Sequence, residues 1–141
     1  MKLTFRTECQ CFAVSEKLLK ILQDAVKHLE QTEQSLDAIT FNFRDPHYSA
    51  DTGGYHPTEL RIINTDKGWS FDYITDFSYQ GIGYMAELTK EIDFLFQEQV
   101  AYHLYTGEHK AENVTSLFKL WQENFISYVN SGVFKVEITP C

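Results

Sequence analysis

Three stretches alternate apolar and polar residues with a period of two: "AITFNFR" at 38–44, "TELRIIN" at 58–64 and "WSFDYITDF" at 69–77. That period sends successive side chains to opposite faces of a pleated strand, so each stretch reads as a strand buried on one side. Ile39, Phe41 and Phe43 face inward from the first, Leu60 and Ile62 from the second, and Trp69, Phe71, Tyr73 and Phe77 from the third. The turn residues of "TDKG" at 65–68 join the last two as a hairpin. Pairing Asn64 with Trp69 then sets Ile62 opposite Phe71, Leu60 opposite Tyr73 and Arg61 opposite Asp72.

Helical spacing appears on both sides of these strands. Leu18, Leu22, Ala25, Val26 and Leu29 form an amphipathic stripe after Ser15, which has the chemistry of an N-cap. Val114, Leu117, Phe118, Trp121, Phe125, Tyr128 and Val129 form a second, broader stripe that ends before Gly132, where a left-handed C-cap is wanted. "VFKVEIT" closes the chain as a strand with Phe134, Val136 and Ile138 inward, and a short strand fits Leu3 to Arg6. "MAELTKEI" favours helix, whereas "EIDFLFQEQVAYHLYTG" fits helix or strands equally, so 92–112 carries no assignment. The expected fold is one α+β domain over residues 1–141: an antiparallel sheet of about four or five strands with helices packed on one face and the other face open.

With 43% apolar and 15% aromatic residues, 141 residues can build a core without metal or disulfide staples. The net charge is -8, and from Phe71 onward ten acidic side chains stand against four basic ones. Such a chain does not suit nucleic-acid phosphates or anionic membranes, although it can meet a basic protein, as an acidic immunity-type or antagonist protein would. Cys9, Cys11 and Cys141 have neither zinc-knuckle nor thioredoxin spacing and read as free thiols of a reducing cytoplasm. "MKLTFRTECQCF" lacks the apolar run of a signal peptide or membrane span, so the expected location is the cytoplasm.

The outward strand positions, Thr40, Asn42, Arg44, Glu59, Arg61, Ile63, Asp72, Ile74, Asp76, Lys135 and Glu137, make a mixed-charge surface. It is bordered by "DPHYSADTGGYHP", residues 45–57, longer than most hairpin loops and too aromatic for a disordered linker. Gly53-Gly54 suits a sharp turn, and no Gly-Lys-Ser/Thr follows to make a phosphate loop. His47 and His56 lack the spacing of a helical ligand pair, so no metal and no cofactor is expected. An enzyme built here would use His56 as general acid or base, Asp76 or Glu59 to orient it and Arg44 or Arg61 to hold an anion, yet Ser49 and Ser78 have no nucleophile motif around them. A second loop, "DFSYQGIGY" at 76–84, brings Tyr79 and Tyr84 toward Tyr48, Tyr55 and Arg44, and Tyr and Arg are enriched in binding hot spots.

"FNFRDPHYSADTGGYHPTELRI" followed by "YITDFSYQG" resembles the central signature of a bacterial family of small uncharacterised proteins, domain of unknown function 2787. The matching positions are Arg44, Asp45, Tyr48, Gly53, Gly54, Tyr55, His56, Pro57, Asp76, Phe77 and Tyr79; His47 departs from the pattern, and 97–112 fits it poorly. The resemblance implies a single-domain bacterial protein and carries no activity. The expected function is therefore a non-enzymatic binding module that engages a protein or small polar ligand through the open sheet face and loops 45–57 and 76–84. Its binding residues are Arg44, Asp45, Tyr48, Gly53, Gly54, Tyr55, His56, Arg61, Asp76 and Tyr79. The alternative is a hydrolase-like enzyme with His56 as acid or base and Asp76 as its orienter.

Overall fold

The computed structural model describes residues 1–141. Seven strands, β1 (Ala38–Arg44), β2 (Thr58–Thr65), β3 (Gly68–Gln80), β4 (Glu87–Leu95), β5 (Val100–His103), β6 (Gly107–Lys110) and β7 (Lys135–Pro140), form one sheet in the order β6-β5-β4-β3-β2-β1-β7. Every neighbouring pair is antiparallel. Seven strands replace the four or five expected, because 87–110 folds as the successive strands β4 to β6. Leu3 to Arg6 contributes only an isolated bridge, Phe5 to Trp69. No helix is long and apolar enough to cross a membrane.

Two helices, α1 (Glu16–Val26) and α2 (Thr115–Asn130), cover one face of the sheet. Ser15 Oγ accepts the Leu18 N–H and starts α1, whose Leu18, Leu22 and Val26 are fully buried. Gly132, at φ 75°, takes the left-handed turn that ends α2. Phe118 of α2 meets Phe94 of β4, and Phe125 meets Phe43 of β1, both edge-on at 5.0 Å. The helix thus spans the sheet from β1 to β4 on aromatic contacts, each adding about 0.5–1.5 kcal/mol beyond the area it buries. Gln122 fixes its other side, taking the Ser15 N–H at 2.9 Å and donating to the Ala13 carbonyl at 3.3 Å.

Two irregularities in the ladders decide where the polar residues go. Between β2 and β3 the register runs Ile62 opposite Phe71 and then Arg61 opposite Tyr73, which makes Asp72 an extra residue. The turn and the Asn64–Trp69 pair are as the hairpin pattern predicts, but beyond Asp72 the alternation changes phase. Tyr73 goes to the outer face, where its hydroxyl donates to Glu59 at 2.7 Å, and Ile74 enters the core fully buried. Leu60 consequently pairs with Ile74 rather than Tyr73. Asp76 turns with Ile74 toward the helices instead of lying on the open face. The second irregularity, between β3 and β4, pairs Asp76 with Ile92 and Phe77 with Lys90, so Glu91 is the extra residue there.

Candidate functional site

The loop from 45 to 57 is organised around Asp45. Its buried carboxylate accepts the Tyr55 N–H at 3.1 Å and the His47 N–H at 2.9 Å, and these two bonds hold it below the usual carboxylate range. Gly54 lies so close that a Cβ there would stand 2.8 Å from Asp45 Oδ2, at a φ of +132° that side chains rarely adopt. Ser49 and Gly53 exchange backbone hydrogen bonds at 3.0 and 3.2 Å and close the loop tip. Asp45, Gly53 and Gly54 therefore build the loop, and what they position is Tyr55-His56 at the entrance to β2.

His56 Nδ1 stands 3.2 Å from Asp76 Oδ1 and 3.5 Å from Glu91 Oε2. Each partner arrives through one of the two ladder irregularities: Asp76 by the phase change at Asp72, and Glu91 as the extra residue of β4. Ser78 Oγ donates to Glu91 Oε1 at 3.1 Å and accepts from Gln80 Nε2 at 2.8 Å, while Trp121 and Asp76 line the same cavity. The hydrogen bond to Asp76 raises the His56 pKa above its ordinary 6.5 against the opposing effect of burial, with Glu91 helping. Burial raises the Asp76 pKa even though His56 favours its ionised form. Two carboxylates thus share one imidazole, leaving the floor negative when both are ionised.

A cavity of about 310 Å³ opens beside this group, between the sheet and α2. One side is Gly54, Tyr55, His56, Thr58, Asp76 and Glu91; the other is apolar and aromatic, with Leu117, Leu120, Trp121, Phe125 and Tyr128 of α2 and Phe134 beyond it. No lysine or arginine lines it. Tyr55 packs on Tyr128 at 4.7 Å, tying the loop to the helix. Behind His56, Tyr48 sits 5.5 Å from the imidazole and 5.2 Å from the Tyr79 ring, and its hydroxyl accepts the Tyr79 N–H at 3.1 Å.

Of the residues expected from the sequence, Gly54, Tyr55, His56 and Asp76 meet in the cavity, and Tyr48 and Tyr79 back the imidazole. Arg44 is exposed at the end of β1 opposite Lys135, and Arg61 is bonded to Asp72 at 2.6 Å; neither lines the cavity. The segment 76–84 is not all loop, because β3 continues to Gln80, and Tyr84 is 99% exposed beyond it. Glu91, Trp121 and Asn124 are additions: Glu91 lay in a stretch whose alternation was ambiguous, and Trp121 read simply as core. The outer face pairs its own polar groups, Tyr73 with Glu59, Arg61 with Asp72 and Thr75 with Asp93 at 2.6 Å.

The profile of a family described as "Protein of unknown function (DUF2787)" matches residues 16–139. Two solved structures from Vibrio cholerae are similar along nearly the whole chain. A hypothetical protein of the VSP-II pathogenicity island is 37% identical with a TM-score of 0.89, the match covering 99% of this chain and 100% of that one. A conserved hypothetical protein of pathogenicity island VPI-2, described as sharing structural homology with the human P32 protein, is 28% identical with a TM-score of 0.80, covering 94% and 98%. No match is found among curated proteins.

Proposed function

The chain belongs to the DUF2787 family of proteins of unknown function, and we propose that it is a binding module whose ligand enters the cavity between α2 and the sheet. The observation that carries this reading is the placement of an aromatic wall opposite the negative group of His56, Asp76 and Glu91. A cavity of about 310 Å³ matches the smaller ligand sites, and its lining of apolar surface with a few convergent polar groups is the usual composition of such sites. The ligand that fits has an apolar body for Trp121 and Tyr128 and a positive or hydrogen-bond-donating end for the carboxylates. Anionic ligands meet no cationic side chain there except a protonated His56 already held by Asp76.

The outer sheet face is the weaker candidate, since the polar groups on β2, β3 and β4 at its centre, Arg61 with Asp72, Tyr73 with Glu59 and Thr75 with Asp93, already satisfy one another. A second reading, acid-base catalysis by His56, is favoured by the same His56–Asp76 contact. The raised pKa makes His56 a better acid than base near neutrality, and Ser78, a candidate nucleophile, donates its hydroxyl to Glu91.

Isothermal titration of arylalkyl amines against the matching arylalkyl carboxylates, on the chelator-treated chain, tests the binding reading. Amines should bind and carboxylates of the same shape should not, and Asp76→Asn should weaken the amines selectively. Equal binding of both series, or of neither, contradicts it.

A further inference from the structure

We infer that His56, Asp76 and Glu91 form a divalent-metal site at the floor of the cavity, with open coordination positions facing the aromatic wall. The inference rests on the cavity of the binding reading and concerns its negative floor, which takes either the cationic end of a ligand or, in its place, a divalent ion. The three ligand atoms all lie within 4.8 Å of one another. A metal bound at about 2.0–2.2 Å by nitrogen and oxygen requires neighbouring ligands separated by about 3.0–3.5 Å, from octahedral to tetrahedral angles. His56 Nδ1 stands 3.2 and 3.5 Å from its two carboxylate oxygens, within that interval.

The surroundings are those of a ligand set held in place. Ser78 fixes Glu91 through Oε1, the oxygen not aimed at His56, leaving Oε2 for the ion; Gln80 in turn fixes Ser78. Outer-shell bonds of this kind orient metal ligands and tune their basicity. Two carboxylates and one neutral imidazole match the charge of a divalent ion, and one nitrogen with two oxygens suits Mn²⁺, Fe²⁺ or Zn²⁺ better than a thiol-seeking ion. Three protein ligands beside an open cavity leave room for water or a ligand oxygen, the pattern of a reactive rather than a purely structural site. The proton on His56 competes with the ion, so affinity falls with acid.

The test is Mn²⁺ titration of the chelator-treated full chain, read by loss of the free-ion electron paramagnetic resonance signal, and Zn²⁺ calorimetry in a Cys9→Ser/Cys11→Ser/Cys141→Ser background that removes the thiols. One ion per chain is expected. Glu91→Gln should weaken Mn²⁺ binding more than about tenfold, and Ser78→Ala about tenfold through the outer shell alone. Glu91 is partly exposed, so Glu91→Gln should keep the apo melting temperature. No saturable binding of either ion, or equal binding by wild type, Glu91→Gln and Ser78→Ala, overturns the inference. Amine binding by the chelated protein together with no saturable binding of either ion would leave the cavity reading standing while the metal inference fell.

Discussion

Asp72 sets the direction of Asp76. As the extra residue of β3, Asp72 shifts the strand's phase, and four positions later Asp76 faces α2 instead of the outer surface. Deleting Asp72 should keep Ile74 in the core and Asp76 facing α2, since Phe71 and Tyr73 already oppose the consecutive residues Ile62 and Arg61, so its cost should be that of the lost Arg61 pair and a local change of twist. Asp72→Ala keeps the residue count and removes only the half-exposed pair with Arg61, so it should cost less than about 1 kcal/mol. Denaturant melts check both variants, and a loss of about 2–5 kcal/mol on deletion, the scale of a buried large-to-small substitution, would show that Ile74 had left the core.

The two loop glycines should differ in their tolerance. Gly54→Ala meets Asp45 Oδ2 and the Tyr48 backbone at φ +132°, whereas Gly53→Ala at φ +70° meets nothing within 4 Å. Gly53→Ala should cost about 1–2 kcal/mol for the left-handed backbone alone. Gly54→Ala should cost more and also release Tyr55 from Asp45, which amide exchange at the Tyr55 N–H would report.

His56 should make stability depend on pH in a defined direction. Its folded-state pKa lies above the ordinary 6.5, so the protonated form is the one favoured by folding. The stabilisation is fully present below 6.5 and is lost as pH rises through the folded-state value. The stability difference between wild type and His56→Gln should therefore be larger in acid than in alkali. Asp76 acts in the opposite sense to a salt-bridged acid, because burial raises its pKa and ionising it opposes folding. His56→Gln should accordingly push the Asp76 pKa higher still, visible by carboxyl carbon NMR.

Much of this fold is legible locally. Ser15 and the Leu18, Leu22, Val26 stripe mark α1, "TDKG" marks the hairpin, and Gly53-Gly54 marks a turned loop. Two things escape for physical reasons. A single extra residue has no signature in an alternating sequence, so Ile74, Asp76 and Tyr73 were each expected on the wrong face. The start of β4, "ELTKE", is partly to fully exposed at every position, and its helix-favouring residues become strand through pairing with β3. The candidate site was half visible: His56 and Asp76 stood out by chemistry, whereas Glu91 needed the second irregularity to join them. Arg44 and Arg61 had the right chemistry and the wrong position.

The arginines give a prediction that separates the two surfaces. Arg44→Ala and Arg61→Ala should leave cavity binding unchanged, because neither side chain lines it. Tyr55→Ala should weaken binding by removing both cavity wall and the contact with Tyr128. Calorimetry with one arylalkyl amine across the three variants checks this.

The chain contains two tryptophans, and they occupy the two informative positions: Trp121 lines the cavity, while Trp69 is fully buried and lines no part of it. The indole N–H resonances in a ¹⁵N-correlated NMR titration with an arylalkyl amine therefore form a probe and its control in one experiment. A saturable shift of the Trp121 indole with Trp69 unmoved is the predicted result. Shifts confined to the outer-face residues Arg61 and Tyr73, with Trp121 silent, would contradict the placement of the binding site under α2.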